Sequence, residues 1–516
     1  MKLKKLVPKT IFIFITIITS GIGLSSVGYA VVKPGCEFAP IDINKYGGGV
    51  FKNPDILRSS KGELNVTLDL KYATRTIAGC ETNLRSYNGK PVGPTLIVKP
   101  GDTLNVDLSN LLPPDTTPPP PDINIPHDFN VTNFHTHGLH VSPTGNSDNV
   151  LLKIKPGQKF QFEINVPKDH PPGTFWYHAH IHGSTALQVG SGVSGVLIVK
   201  GGLDNVAQIR AAKQKVFVFQ QISYDEQGEI EDYSVFGPGR WEQLQRQTTI
   251  NGQIVPVIYM RPGEVQRWRF VNSNVRNPLY VQLEGHKLHE ISVDGLALGK
   301  IDSWNNVELY PGYRSDVLVK ANYPSAGKTT EEFLLFDAGS QTTQPSGPIA
   351  STRILAKVVV RGYANDMALP LSQDLASLVP FEDIMDSEVT GQQDVRFSVD
   401  IINGVPIFTI NEREFDPAYV RTLNIGDVDQ WNLSVSASSD APVHPFHIHV
   451  NPFQMTRMGP DGAMEKVWKD TLAVVQGKNQ SVRTRYERYI GKFVIHCHIL
   501  DHEDRGMMEV IEIVNP

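Results

Sequence analysis

Pro100-Gly101-Asp102-Thr103-Leu104-Asn105-Val106-Asp107-Leu108 reads as a tight turn running into a strand. Glycine admits the turn conformation, and the residues after Asp102 alternate apolar and polar with the two-residue period of a half-buried strand. The same pattern returns as Pro262-Gly263-Glu264-Val265-Gln266-Arg267-Trp268-Arg269-Phe270 and as Ile425-Gly426-Asp427-Val428-Asp429-Gln430-Trp431-Asn432-Leu433, 162 and 163 residues further along. Asn88-Gly89, Asn251-Gly252 and Asn411-Glu412 echo the period upstream, and Gly157, Gly312 and Gly477 echo it downstream. Leu64–Leu70 and Phe160–Val166 alternate in the same way, and long helical periodicity is scarce. Three tandem β-units of about 160 residues account for the length, and a β-sandwich suits so many short strands. The boundaries expected are 31–200, 201–365 and 385–516, with a Pro-containing linker or crossover at 366–384. Leu111–Pro126 holds seven prolines and reads as an irregular loop.

Before these units, residues 1–30 carry Lys2, Lys4, Lys5 and Lys9, an apolar run from Ile11 to Ile18, and small residues up to Ala30, the pattern of an export signal. The apolar run is short for a membrane anchor, and Lys33 and Pro34 do not suit a lipoprotein site at Cys36. A periplasmic or secreted protein without a stable membrane anchor is expected. Removing the signal deletes four lysines and no acid, taking the formal net charge from −6 to −10. That charge, with no basic tract, argues against nucleic acid as a partner. Of three cysteines, Cys36 and Cys80 either pair in a disulfide or stay separate thiols, and Cys497 is left over.

The chemistry gathers in histidine. Ten of 16 fall in four clusters: His135-Thr136-His137; His178-Ala179-His180; His444-Pro445-Phe446-His447-Ile448-His449; and His496-Cys497-His498 with His502. Phe493–Leu500 reads as the closing strand, so Cys497 faces one side and His496 and His498 the other. Cys497 with His502, Met507 and a further imidazole, His444, is the donor set of a blue-copper site. The remaining eight imidazoles form four His-x-His pairs, too many for one ion and suited to three. Two pairs lie in the first unit and two in the third, so shared metal requires those units to meet.

On these motifs the chain resembles the multicopper oxidases of the three-domain, laccase-like kind, and the likeness extends over nearly all of residues 31–516. It implies three cupredoxin-like Greek-key sandwiches and four copper ions. Type 1 copper would lie on His444, Cys497 and His502, with Met507 as axial ligand and Met508 as the competing candidate. Type 2 copper would lie on His135 and His447, and a type 3 pair on His137, His178, His180, His449, His496 and His498. Electrons would enter through His502 or His444 and pass through Cys497 to the cluster, where dioxygen becomes water. Glu503 and Asp148 stand where relatives carry proton-relaying acids, against the alternative of ordinary surface acids. Asp470, in Trp468-Lys469-Asp470-Thr471, resembles a structural landmark.

Phenols and aromatic amines are the donors the resemblance implies first, and reduced metal ions, Cu(I), Fe(II) or Mn(II), second. The nine methionines are dispersed, with only Met455, Met458 and Met464 loosely grouped, unlike the Met-rich insertion of copper-handling relatives. A monomer is expected. His127, His140, His170, His182, His286 and His289 read as hydrogen-bonded structural residues, with His140 and His182 close enough to the clusters to support ligands.

Overall fold

The computed structural model describes residues 32–221, 223–237, 240–243, 247–339 and 353–516. The segment read as an export signal lies outside them.

The strands form six sheets, and each pair of sheets encloses one apolar core. In the first, Leu104, Val106 and Phe162 meet Leu96, Phe175 and Leu197 of the opposite sheet. In the second, Phe217, Trp268 and Val317 meet Val281, Leu335 and Val358. In the third, Phe397, Trp431 and Val482 meet Phe446, Ile495 and Ile511.

The recurring turn explains why three different sequences build the same frame. Thr103–Asn110, Val265–Asn272 and Val428–Val435 are each eight-residue strands. Each runs parallel to an upstream strand, Glu63–Ile77, Lys213–Gln220 and Gly391–Ile402 respectively. Each also pairs antiparallel with a downstream one, Lys159–Asn165, Arg314–Lys320 and Gln480–Arg485. Asn88, Asn251 and Asn411 all adopt positive φ. Their side-chain oxygens accept the N–H groups of Asp69, Val218 and Arg396 at 2.8, 2.8 and 2.9 Å. Asparagine tolerates that conformation and supplies the acceptor, so the repeat in sequence is a repeat in turn chemistry.

One expectation needs correction. The strand bearing Cys497 spans Gly491–Cys497 and ends there; Leu500–Glu503 is a single helical turn, and the closing strand is Met508–Val514, antiparallel to it. A continued extended chain would carry His502 about 16 Å past Cys497. The turn brings it back, fastened by Met507 N–H to the His502 carbonyl at 3.0 Å and Cys497 N–H to the Met507 carbonyl at 3.1 Å.

Cys36 and Cys80 form a disulfide across 44 residues. Leu111–Pro126 contains neither strand nor helix. The 366–384 stretch is not loose: it has short helical turns at Ser372–Asp374 and Ala376–Leu378, and Leu375 packs with Ile291 and Leu318.

Buried charge joins the sandwiches. Asp204 accepts Arg267 and Arg269, both at 2.8 Å, and Asp316 accepts the same two guanidinium groups at 2.5 and 2.9 Å. Thr174 of the first sandwich donates to Asp316 at 2.7 Å. All these groups are buried, and buried charges persist when each is paired.

Candidate metal centre

Sheet register places the histidine pairs. His135 lies opposite His178 on adjacent antiparallel strands, and His447 lies opposite His496 in the third sandwich. The two sandwiches meet through these residues. The His137 and His447 rings stack at 3.8 Å, and those of His135 and His449 at 4.0 Å. Nε2 of His496 lies 3.2 Å from Nε2 of both His180 and His449. The rings of His137, His178 and His498 form a second trio, 4.9 to 5.9 Å apart. His135 and His447 are 6.1 Å apart. Overlapping donor groups, among them His135, His447 and His449, lie with their donor atoms within 4.8 Å of one another.

These imidazoles fit a metal cluster by their unused nitrogens. Nδ1 of His135 faces Asp148 at 3.0 Å, Nδ1 of His178 the Ala179 carbonyl at 2.9 Å, and Nδ1 of His447 the Asp470 carbonyl at 2.8 Å. Their Nε2 atoms are buried and without a hydrogen-bond partner among the described residues, as are Nδ1 of His137 and His449 and both nitrogens of His498. A buried polar atom left unpaired costs about 1–3 kcal/mol. Several lone pairs aimed into one volume are the chemistry of a ligand shell whose outer nitrogens are anchored. Burial, then neighbouring imidazoles, pushes His135, His137, His449 and His498 well below the ordinary histidine range. It brings His178 down to about 3 and His180 to about 4. Burial thus favours the neutral ring, the form that offers a lone pair to a metal.

On the opposite side of the same backbone, Cys497 Sγ lies 3.5 Å from His444 Nδ1 and 3.8 Å from His502 Nδ1, and those nitrogens are 3.3 Å apart. This is a closed triangle of one sulfur and two imidazoles. Burial pushes the free thiol well up, so a cation is what makes it a thiolate there. Met507 is fully buried in the same core as Cys497, whereas Met508 belongs to a separate cluster with Val150, Phe415 and Val494. His444 is fully buried; His502 retains 7% exposure.

Both candidate acids are buried against the cluster rather than on the surface. Asp148 accepts from His135 and from Thr136 N–H at 2.8 Å, and burial raises it to about 7. Glu503 lies 3.3 Å from His180 Nδ1 and 3.1 Å from His496 Nδ1. Burial raises its carboxyl, and the His180 and His496 imidazoles outweigh that.

Sequence reading missed the contribution of the middle sandwich, which carries none of the ten clustered histidines. Asp470 faces His137 Nε2 at 3.2 Å and is held by Arg314 through bonds of 2.8 and 2.5 Å. Asp294 in turn accepts Arg314 N–H at 3.1 Å and pairs with Lys469 at 3.2 Å. Gly312, at φ +86°, lies so near His498 that a Cβ there would stand 3.0 Å from its ring. Gly312 was visible only as one echo of the repeat. Nothing local marks Arg314 or Asp294.

The other histidines stay outside the donor groups. His127, His182 and His289 face Ile125, Asn124 and Ser303 at 2.8, 3.1 and 2.8 Å. His170 and His286 accept the N–H groups of His140 and Asn322 at 3.0 and 3.1 Å. His140 faces the Val450 carbonyl at 2.5 Å, joining the first sandwich to the residue after His449.

Fold and donor set together define an oxidoreductase built on copper. Residues 124–203, 223–352 and 384–516 each match a family model described as multicopper oxidase. The chain belongs to the multicopper oxidase family, whose members couple oxidation of a reduced substrate to reduction of dioxygen. It is 24% identical over 478 residues to the multicopper oxidase mco of Staphylococcus aureus, covering 89% of this chain and 90% of that protein. It is 23% identical over 487 residues to a laccase of Bacillus subtilis (strain 168), covering 84% and 91%. Among solved structures, a Campylobacter jejuni multicopper oxidase described as a metallo-oxidase shares the fold at TM-score 0.72 and 22% identity, over 92% of this chain and 97% of that one. A laccase from Pediococcus acidilactici does so at 0.72 and 23%, over 91% and 94%.

Proposed function

We propose that this oxidase is laccase-like, taking single electrons from phenols or aromatic amines beside His502 and using them to reduce dioxygen at the histidine cluster. One observation carries the reading: Cys497 presents its sulfur to His444 and His502 while its two chain neighbours, His496 and His498, point into the cluster. The two donor sets are thus one residue apart along a covalent path. His444, Cys497 and His502, with Met507, would hold one ion. His135 and His447 would hold a second, and His137, His178, His180, His449, His496 and His498 a pair, four in all. Copper in these places supplies one-electron acceptance at the thiolate and four-electron reduction of dioxygen at the cluster.

The chain's own groups do the rest. His502, at 7% exposure, is the less buried of the two imidazoles and so the side from which a donor would approach, while His444, fully buried, is covered by Phe397, whose ring stacks on it at 5.3 Å. Glu503 and Asp148 touch cluster imidazoles without being held by an arginine, as Asp470 is, and are placed to pass the protons that water formation consumes. We also infer an exported monomer after removal of residues 1–30, in keeping with the Cys36–Cys80 disulfide, and three structural units at 31–200, 201–365 and 385–516 joined through 366–384.

The test is to load purified protein with copper and follow blue absorbance, then oxygen uptake with a phenol and separately with Cu(I), Fe(II) and Mn(II). Blue protein that consumes oxygen with the phenol is the expected result; uptake with metal ions alone would make it a metallo-oxidase. Cys497→Ser is expected to abolish the colour and turnover while copper remains in the cluster. Persisting blue colour would overturn the thiolate assignment.

A further inference from the structure

The hairpin Gly391–Ile402 and Val405–Ile410 has an inner face that runs past both imidazoles of the Cys497 site and out into solvent. Its cross-strand rungs are Phe397 with Ile410, Val399 with Phe408, and Ile401 with Pro406, all on one face because each is two residues from the next. Phe397 stacks on His444, fully buried, at 5.3 Å; Phe408 lies on His502, 7% exposed, at 4.9 Å. The third rung has left the core: Ile401 is 50% exposed. The apolar row therefore continues beyond the less buried of the two imidazoles.

Arg505 stands at the second rung. Its guanidinium lies between the rings of Phe408, at 5.7 Å, and Tyr233, at 5.4 Å. Among the described residues it forms no ion pair, and its Nε is buried without a hydrogen-bond partner. The neighbouring acids are already engaged. Asp501 accepts from Arg276 at 2.9 Å, and Asp504 accepts from Thr185 and Ala186 N–H, both at 2.8 Å, and from Tyr233 Oη at 2.7 Å. Glu414 is the remaining carboxylate nearby, its Cβ close to Gly506. A guanidinium wedged between two rings, in electrostatic range of Asp501 but with no carboxylate in contact among the described residues, is a place for an anion, since guanidinium binds carboxylate through a planar pair of N–H groups.

We infer that the donor site at His502 selects aromatic reductants that carry an acidic group, the ring lying against Ile401, Pro406 and Phe408 and the anion meeting Arg505. This rests on the laccase-like reading above. Each phenol gives up one electron and its hydroxyl proton to become a phenoxyl radical; four such oxidations with one dioxygen yield two waters. Apolar wall and cation together disfavour hydrated metal ions, which would lose water against the one and be repelled by the other.

The experiment compares ferulate with its methyl ester on full-length, copper-loaded protein. In the wild type kcat/KM is expected to favour ferulate. In Arg505→Gln the ferulate-to-ester ratio is expected to fall about tenfold, mainly through KM for ferulate, and Arg505→Lys to recover part of it. Ile401→Asp, at an exposed position, is expected to lower kcat/KM for the ester about fivefold. A ratio unmoved by Arg505→Gln, or an ester rate unmoved by Ile401→Asp, in protein that remains blue would overturn this inference and leave the laccase-like reading intact. A wild type that binds copper without turning blue would remove the type 1 reading, and this inference with it.

Discussion

At the scale of single residues, the cluster depends on atoms that hold imidazoles still. Nδ1 of His135, His178 and His447 is tied to an oxygen, which leaves Nε2 free and aimed inward. Gly312 is the clearest case of a residue whose role is its lack of a side chain. Gly157 and Gly477, its counterparts in the repeat, have open space where a Cβ would be, whereas at Gly312 that space is the His498 ring. The same turn chemistry requires glycine at all three; only one also makes room for a ligand. Gly312→Ala adds backbone strain to a contact of 3.0 Å. It is expected to cost about 1–3 kcal/mol in urea unfolding of the metal-free protein and to lower the copper bound per chain. Unchanged stability and full copper content would show that His498 is not set by this contact.

At the scale of elements, the helix Thr185–Ser191 of the first sandwich begins at Ser184, whose side chain makes no capping bond. Its cap comes from another unit: Asp504 accepts Thr185 and Ala186 N–H, and Thr185 Oγ1 donates to Glu503 at 3.0 Å. The turn that returns His502 to Cys497 thereby docks against the first sandwich and seats Glu503 beside His180 and His496. Asp504→Ala would leave two buried N–H groups without acceptors, at a cost of about 1–3 kcal/mol each. Hydrogen exchange is expected to show faster opening of residues 185–191, with weakened blue absorbance and oxygen uptake together, because the same turn carries His502 and Glu503.

At the scale of the molecule, the middle sandwich braces the other two. Arg269, fixed by Asp204, donates to Thr174 of the first sandwich at 2.7 Å, and Arg314 holds Asp470 of the third. Burial pushes the Asp204 carboxyl up, but Arg269 and Arg267 outweigh it and hold the group below its usual value. A carboxyl depressed in the folded state contributes stability that is fully present above its unfolded value, about 4, and is lost as pH falls through the folded one. Thermal stability is expected to drop below about pH 4. Asp204→Asn should be less stable by about 3 kcal/mol at neutral pH, having left two buried guanidinium groups short of charge, and should show a smaller loss on acidification. Thermal melts across pH check both, and an acid loss as steep as the wild type's would count against this role.

Much of this was legible in sequence because it is local. Three copies of one turn, each with glycine or asparagine where positive φ is needed, establish three β-units, and the two-residue period puts each His-x-His pair on one face and Cys497 on the other. Those features depend on chain neighbours and backbone sterics alone. Others depend on which surfaces pack: the cap from Asp504, the brace of Arg314 and Asp294, Met507 rather than Met508 in the core beside Cys497, and the unpaired Arg505 at the edge of His502. The strand, which periodicity extends to Leu500, stops at Cys497 for the same reason. Periodicity can mark where a strand begins, but His502 reaches the sulfur only when the turn finds Val275, whose carbonyl accepts Leu500 N–H at 3.0 Å, and the first sandwich to lie against. Donor identities are therefore a property of the sequence, whereas their convergence into one cluster is a property of how three separately cored units close on one another.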